Sequence, residues 1–198
     1  EKMLIKAAAD REVPARGLPM DVGVVVQNIG TAVAVFEAAR YGKPLIERVV
    51  TVTGEGIKEP KNLMVKIGAL VSDLIADCGG FTSEAAKIIS GGPMMGFSIY
   101  SLEVPVTKGT SGILVLPEEG VVHSEDFGPC IRCGRCIDIC PMSLMPSMLS
   151  VLAEKGFYEE AKGYDLFDCF ECGSCTYVCP SKRPIVQLIR LAKSQVKP

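Results

Sequence analysis

The chain has 198 residues, 48% of which are hydrophobic, and its formal net charge at pH 7 is −2. This length is enough for a real hydrophobic core in one medium-sized domain or two small ones. A near-neutral charge without a basic, aromatic-rich patch argues against a nucleic-acid partner. No apolar run approaches the roughly 18–20 residues that a membrane span needs. The charged opening at Glu1 and Lys2 is not that of a signal peptide.

The first pattern along the chain is a β-branched, apolar run that ends in a polar turn containing glycine. It covers Asp21–Gly30 and predicts a strand, and the apolar stretch Thr31–Ala39 that follows predicts a helix. A strand and a helix at this place indicate the end of an α/β domain whose beginning is absent.

The next elements predict a small α+β unit. Glu47–Gly54 and Asn62–Gly68 have the composition of strands, and Leu70–Cys78 has the one-sided apolar pattern of a helix. Two further strands are predicted over Ala86–Ser90 and Gly112–Pro117. The order strand, strand, helix, strand within so short a segment is typical of a β-grasp unit.

Three features of this region have ordinary structural interpretations. Cys78 lies on the predicted helix, away from the other cysteines, and is expected to be a buried thiol. His123 is the only histidine and is expected at the surface. The run Gly91–Gly96 lacks the Lys-Ser/Thr of a phosphate-binding loop, so its glycines are expected to allow close packing of the backbone.

The other eight cysteines form two copies of the pattern Cys-x-x-Cys-x-x-Cys-x-x-x-Cys-Pro, which is the ligand spacing of a ferredoxin with two [4Fe–4S] clusters. The first three cysteines of a copy can bind one cluster from a single loop, and the fourth serves the other cluster. The predicted ligands of cluster one are Cys130, Cys133, Cys136 and Cys179. The predicted ligands of cluster two are Cys169, Cys172, Cys175 and Cys140.

Two other uses of clustered cysteines fit less well. The cysteines of a disulfide framework are usually spread along a secreted chain. A structural zinc site uses separated Cys-x-x-Cys pairs and has no role for the third cysteine in each copy. The pattern also allows clusters that stabilise the fold without carrying electrons. Labile clusters and thiolates indicate a reducing, cytoplasmic compartment.

The cysteine-containing part is predicted to be rich in helices. Helical patterns cover Met145–Leu152 and Phe157–Lys162, and Pro184 opens a last helix. Ile185, Leu188, Ile189, Ala192 and Val196 form its apolar side. Basic residues near and on this helix are Lys182, Arg183, Arg190, Lys193 and Lys197. They form either a solvated face or a docking surface for an acidic partner or anionic lipid headgroups.

The two ligand loops differ in charge. Arg132 and Arg135 lie in the loop of cluster one, whereas Asp168 and Glu171 flank that of cluster two. Positive charge stabilises the more negative, reduced state of a cluster. Cluster one is therefore predicted to have the higher reduction potential, by an amount that solvent screening reduces.

Taken together, these motifs resemble a known family. The stretches that carry the resemblance are Thr31–Ala34, Tyr41–Gly54, Gly91–Gly96, Cys130–Cys136 and Glu171–Pro184. Over essentially the whole chain they resemble the C subunit of the Rnf complex. That complex is a membrane-bound oxidoreductase that exchanges electrons between NADH and ferredoxin while it moves Na⁺ or H⁺.

The resemblance implies an α+β fold of three parts. Residues 1–45 would be the remnant of an α/β domain that binds FMN and NADH. Residues 46–119 would be a β-grasp domain of the soluble-ligand-binding (SLBB) type, and residues 120–198 a helix-rich dicluster ferredoxin domain. Asn28 and Thr31 would contact the phosphate or ribityl chain of FMN. The glycine-rich flavin loop of the family is missing, so we expect this chain alone to lack a complete FMN site and NADH oxidation activity.

The implied function is electron transfer. Electrons would pass from NADH through FMN and the two clusters to the other Rnf subunits, on the cytoplasmic side of the bacterial membrane, with ferredoxin as a redox partner of the whole complex. One alternative is the flavin and iron–sulfur cobalamin reductase of bacterial microcompartments, which shares this layout. Another is a non-redox assembly module with structural clusters.

Overall fold

The computed structural model describes residues 1–15, 17–82 and 85–197. They divide into two compact units, Glu1–Val26 together with Val122–Pro198, and Gln27–Val121. The three-part division at residues 45 and 119 stays a prediction. The helices are α1 (Lys2–Ala9), α2 (Ile29–Tyr41), α3 (Val71–Asp77), α4 (Arg135–Asp138), α5 (Pro146–Glu154), α6 (Tyr158–Lys162), α7 (Ser174–Tyr177) and α8 (Ile185–Gln195). The strands are β1 (Glu47–Thr53), β2 (Lys61–Lys66), β3 (Ala85–Ser90), β4 (Phe97–Ile99) and β5 (Gly112–Pro117).

The unit Gln27–Val121 contains a mixed sheet with the strand order β2-β1-β5-β3-β4. β1 pairs antiparallel with β2, placing Glu47 opposite Lys66, and parallel with β5, placing Thr51 opposite Gly112. β3 is antiparallel to both β5 and β4. The predicted strands β1, β2, β3 and β5 are confirmed, whereas the three-residue strand β4 was not predicted.

The core of this unit lies between the sheet and α3. Val50 and Val52 of β1 are fully buried and alternate with exposed residues, as expected for a strand with one covered side. Leu74 and Ile75 of α3 belong to the same buried cluster. Cys78 ends α3 with no exposed surface, and burial raises the pKa of its thiol. The α+β class and the buried state of Cys78 are thus confirmed.

The predicted strand over Asp21–Gly30 is wrong. Pro19–Val22 forms a short 3-10 helix, in which the backbone N–H of Leu18 donates to the Asp21 carboxylate over 2.8 Å. Within the described part of the chain, residues 24–28 have no strand partner, and Val25 is 73% exposed. β-branched residues favour extended backbone, but a strand also needs a hydrogen-bonded neighbour. The helix predicted next is confirmed as the longer α2.

The other unit has a helical core, which confirms the helix-rich character of the cysteine-containing part. Pro146 begins α5, where its missing N–H is harmless. Helices α5, α6 and α8 share one buried cluster. On α8, Ile185, Ile189 and Ala192 are buried as the sequence pattern predicts.

Candidate metal centres

Each cysteine motif has the same local architecture. Its first two cysteines lie in an irregular segment, and a glycine then begins a short helix that contains the third cysteine. The starting glycines are Gly134 and Gly173, with φ of 80° and 86°, where a side chain would be strained. The fourth cysteine follows within two residues of the end of α4 or α7.

Other backbone angles repeat between the motifs. Two residues after the first cysteine, Arg132 and Glu171 have φ of 56° and 61°. Three residues after the fourth cysteine, Ser143 and Lys182 have φ of 53° and 49°. The same left-handed turns at the same motif positions mean that the two segments are folded as structural repeats.

The eight cysteines line two cavities, four in each. Those of the first cavity are Cys130, Cys133, Cys136 and Cys179. Those of the second cavity are Cys140, Cys169, Cys172 and Cys175. The structure thus brings the fourth cysteine of each motif together with the first three of the other. Among the described residues, no two cysteines form a disulfide.

Within the described ranges, no three His, Cys, Asp or Glu side chains are arranged to hold a single metal ion. An iron–sulfur cubane makes a different demand, because each thiolate binds a different iron of the cluster. Four sulfur donors around one cavity match that demand, and sulfur is the ligand type that such clusters take.

The two cavities differ in their surroundings. Arg132, Ser147 and Ser181 are among the residues around the first cavity, and Cys133 is exposed. The second cavity is lined by Ser174, whose hydroxyl lies 3.4 Å from Cys172 Sγ, and by apolar side chains of several helices and loops: Leu144, Pro146, Leu149, Val186 and Ile189. The cysteines of the second group are all buried or partly buried, whereas the first group has one exposed member.

Burial changes the acidity of several of these thiols. It raises the pKa of Cys175 to about 12, and it also raises the pKa values of Cys169 and Cys136 above the usual range. These thiols keep their protons at neutral pH unless a cation binds. Metal binding to these sites is therefore coupled to proton release.

An ion-pair network lies beside the second cavity. The Lys193 ammonium group donates to the backbone carbonyl of Cys169 over 2.5 Å and to Glu171 Oε1 over 2.9 Å. Arg190 Nε donates to Glu171 Oε2 over 2.7 Å. Burial opposes ionisation of Glu171, but the hydrogen bonds from Lys193 and Arg190 outweigh it and lower the carboxyl pKa.

This network corrects the interpretation of the basic residues on α8. Both side chains are largely covered, with 24% of Arg190 and 19% of Lys193 exposed. They form neither a solvated face nor a free docking surface, because they bind a carboxylate of the same unit. Lys197 is exposed. The helical pattern places these charges on α8 but does not identify their partner, which is distant along the chain.

A second ion pair lies near the first cavity. Arg183 is 6% exposed, and its guanidinium donates to Glu154 Oε2 over 2.6 Å. It also donates to the backbone carbonyl of Gly128 over 3.5 Å. This contact links α5 with the segment that precedes Cys130, and no motif in the sequence indicates it.

Asn28 and Thr31 lie in the unit Gln27–Val121. The Asn28 side chain caps α2 by accepting the N–H of Gly30 over 2.9 Å, which gives it a structural role. Both residues line a cavity of about 440 Å³, together with Lys43 and Arg48. Glu37 and Glu47 line it as well, and the Lys43 ammonium group donates to Glu47 over 3.0 Å, so the charges around this helix start are balanced.

The remaining features have the structural roles expected of them. His123 is exposed. A Cβ atom at Gly96 would lie 2.5 Å from Ile89 Cγ2 and 2.6 Å from the Gly92 carbonyl oxygen, so only glycine fits. The glycine-rich run thus brings the backbone close to β3. Across the described ranges, no helix is both long and apolar enough to span a membrane.

Comparison with known proteins first defines the class. Residues 49–98 match the SLBB domain family, and residues 129–183 match the 4Fe-4S dicluster domain family. The first match lies on the β-grasp unit, and the second covers the two cysteine motifs. The chain therefore combines an SLBB domain with an iron–sulfur dicluster domain.

Relatives of one family cover nearly the whole chain. It is 58% identical to the C subunit of the proton-translocating ferredoxin:NAD(+) oxidoreductase complex of Clostridium ljungdahlii, over 98% of this chain and 43% of the relative. It is 51% identical to the C subunit of the ion-translocating oxidoreductase complex of Rhodobacter capsulatus, over 99% of this chain and 38% of the relative. The C subunit of the Na(+)-translocating ferredoxin:NAD(+) oxidoreductase complex of Acetobacterium woodii is 45% identical, over 99% of this chain and 44% of the relative.

Over nearly its whole length the chain is thus similar to the C subunits of ion-translocating oxidoreductase complexes, which confirms the resemblance seen in the sequence. It spans about two-fifths of the length of these relatives.

Proposed function

We propose that the chain carries two [4Fe–4S] clusters. Cys130, Cys133, Cys136 and Cys179 would bind cluster one. Cys140, Cys169, Cys172 and Cys175 would bind cluster two. The observation that carries this proposal is the sorting of eight thiols into two cavities of four, with the fourth cysteines exchanged between motifs. When bound, each cluster supplies a site that gains or loses one electron.

The exchange of the fourth cysteine keeps the two sites adjacent. Cys136 belongs to cluster one, and Cys140, one turn further along the same segment, belongs to cluster two. Cys175 and Cys179 repeat this relation in the other motif. The chain thus holds two redox sites as neighbours and surrounds the second with apolar side chains, which exclude water. This arrangement suits a relay of single electrons.

The relay would serve an ion-translocating ferredoxin:NAD⁺ oxidoreductase complex. The names of the relatives support this assignment over a cobalamin reductase. The partners would be the other subunits of that complex, with NADH and ferredoxin as its redox partners. The protein would lie peripherally on the cytoplasmic side of the bacterial membrane.

In the full-length subunit, Asn28 and Thr31 would contribute to an FMN site. Their shared cavity contains the start of α2, which favours an anionic phosphate, while the charges of Lys43 and Arg48 are balanced by Glu37 and Glu47 in the same lining. The chain alone would not oxidise NADH.

The decisive experiment measures iron, acid-labile sulfide and electron paramagnetic resonance (EPR) on anaerobically reconstituted protein. About eight irons and eight sulfides per chain are expected, with a signal from two interacting reduced clusters after dithionite treatment. Zinc in place of iron would contradict the ligand assignment. Full iron occupancy with clusters that no reductant changes would favour an assembly module over a relay.

Cluster one is predicted to be reduced at the higher potential. Its ligand loop contains Arg132 and Arg135, and its Cys133 is exposed; positive charge and exposure to water both favour the additional negative charge of a reduced cluster. An EPR-monitored redox titration, with Cys133→Ser and Cys172→Ser variants to assign the two signals, measures the order. Earlier reduction of the signal that Cys172→Ser removes would show that the prediction is wrong.

A further inference from the structure

The loop between Cys169 and Cys172 is attached to a helix that is distant in sequence. Glu171 lies in this loop, in a left-handed backbone conformation with φ of 61°. Both of its carboxylate oxygens accept hydrogen bonds from α8, one from Lys193 and one from Arg190. The loop that contains two cysteines of the second cavity is therefore held by a bidentate contact.

Lys193 makes a second contact with the same loop. Its ammonium group also donates to the backbone carbonyl oxygen of Cys169. One side chain thus binds the main chain at the first cysteine and the carboxylate beside the second. Charge-assisted hydrogen bonds of this kind are stronger than neutral ones, and the partial burial of Lys193 and Glu171 limits their screening by water.

Helix α8 contributes to the second cavity in two ways. Val186 and Ile189 line it with apolar groups, while Arg190 and Lys193 bind the ligand loop. Lys193 thereby places a positive charge beside the first two cysteines of this motif. A positive charge next to a cluster favours its reduced state.

The first motif has different side chains at the matching positions. Arg132 replaces Glu171 at the matching turn and is exposed. The residue of α5 that corresponds to Lys193 is Glu154. It binds Arg183, whereas Lys193 binds the ligand loop. The two segments share their backbone turns, so the dicluster fold itself does not require the network.

We propose that Lys193 is a positioning residue for the second cluster. It holds the Cys169–Cys172 loop in its ligand conformation, and its charge raises the potential of that cluster. This inference rests on the proposed function, because it assumes that the second cavity binds a [4Fe–4S] cluster. It implies a difference between the two clusters that the cysteine motifs alone do not predict.

The test compares Lys193→Met with Glu171→Gln in the reconstituted chain. Both variants loosen the loop, so iron of the second cluster should be lost to a chelator about 10-fold faster or more. Their charge effects are opposite. Lys193→Met removes a positive charge and should lower the potential of cluster two, whereas Glu171→Gln removes a negative charge and should raise it. Cluster one should keep its potential in both.

Two further variants provide controls. Lys193→Arg keeps the charge and the donors and should retain slow iron release. Lys162→Met removes a partly exposed lysine that pairs with Glu159 and should change neither readout. Unchanged release and potential in Lys193→Met, or equal changes in both clusters, would overturn the inference. Failure of the proposed function would appear separately, as wild-type protein that does not load two clusters.

Discussion

The two cysteine-containing segments, 130–154 and 169–193, have one backbone plan and two electrostatic patterns. Their left-handed turns recur at matching positions, with φ angles that differ by only a few degrees. Both end in a helix that begins at the same distance from the fourth cysteine, α5 at Pro146 and α8 at Ile185. The ligand spacing thus specifies where the chain must turn, and the two repeats satisfy it in the same way.

The side chains at matching positions differ in charge. Leu144 in the first segment corresponds to Arg183 in the second, and both are nearly inaccessible to solvent. Glu154 similarly corresponds to Lys193. The cysteine motif thus determines the backbone of both sites, whereas the charged side chains around each site differ between the segments.

The largest expected effect comes from replacing the fourth cysteines. Cys140→Ser should abolish the cluster of the second motif, and Cys179→Ser that of the first, because each lies with the three cysteines of the other motif. Each variant should retain about four irons, half of the two-cluster content. EPR spectra of the two variants, compared with Cys133→Ser and Cys172→Ser, identify the lost cluster. If Cys140→Ser resembles Cys133→Ser, the exchange of ligands is disproved.

The next-largest effect is expected on stability, from a substitution in the hydrophobic core of the helical unit. Leu149 is fully buried and lines the second cavity, whereas Leu188, at the matching position of α8, is only partly buried. Leu149→Ala should therefore cost about 2–5 kcal/mol of the free energy of unfolding, because it removes methyl groups and leaves a cavity. Leu188→Ala is the matched control and should cost less. Denaturant unfolding of both variants measures the difference, and equal losses would show that the two helices are equally essential to the core.

A smaller effect is expected at the buried ion pair. Arg183 has a 7% exposed side chain, and in the described structure its Nε is buried without a hydrogen-bond partner. Glu154→Ala would leave this cation buried and unpaired. Since Glu154 itself is 54% exposed, water offsets part of the loss, and we expect a destabilisation of about 1–3 kcal/mol.

Arg183→Leu is the informative counterpart, because leucine is the residue that the first segment has at this position. A well-packed apolar side chain often replaces a buried ion pair without loss. The stability of this variant should stay within about 1 kcal/mol of the wild type. A loss as large as that of Glu154→Ala would mean that the contact of Arg183 with Gly128 matters more than its charge balance.

The sequence predicted the elements that depend on local pattern. β1 and α3 have clear periodicities, and the cysteine spacing alone was enough to specify a dicluster domain. The run at residues 21–26 was wrongly predicted to be a strand. Its β-branched residues have strand composition, but the described part of the chain contains no neighbouring strand for it. β4 was missed because three residues at a sheet edge contain too little pattern to identify.

The contacts around the candidate sites could not be predicted in the same way. The network of Glu171, Arg190 and Lys193 joins residues about twenty positions apart, through the packing of α8 on the ligand loop. A sequence shows the charges but not which of them meet. The position of Glu171 between two ligand cysteines was the one visible signal, since a carboxylate there needs a partner when the loop is covered.

Small effects are also expected at the turn that the two segments share. Arg132 and Glu171 both have the left-handed backbone that favours glycine, and Arg132 is exposed. Arg132→Gly relieves this strain but increases the freedom of the unfolded chain, so it should be neutral or stabilising by up to about 1 kcal/mol.

Glu171→Gly relieves the same strain but leaves Arg190 and Lys193 without their carboxylate. It should destabilise the protein by about 1–2 kcal/mol, because partly buried cations lose a charged hydrogen-bond acceptor. Denaturant unfolding measures the change in the free energy of unfolding of both variants. Changes of opposite sign would show that the turn determines only backbone geometry in the first segment, whereas the matching turn of the second segment also anchors α8. The same sign in both would mean that the turn strain, and not the network, controls the stability of the ligand loop.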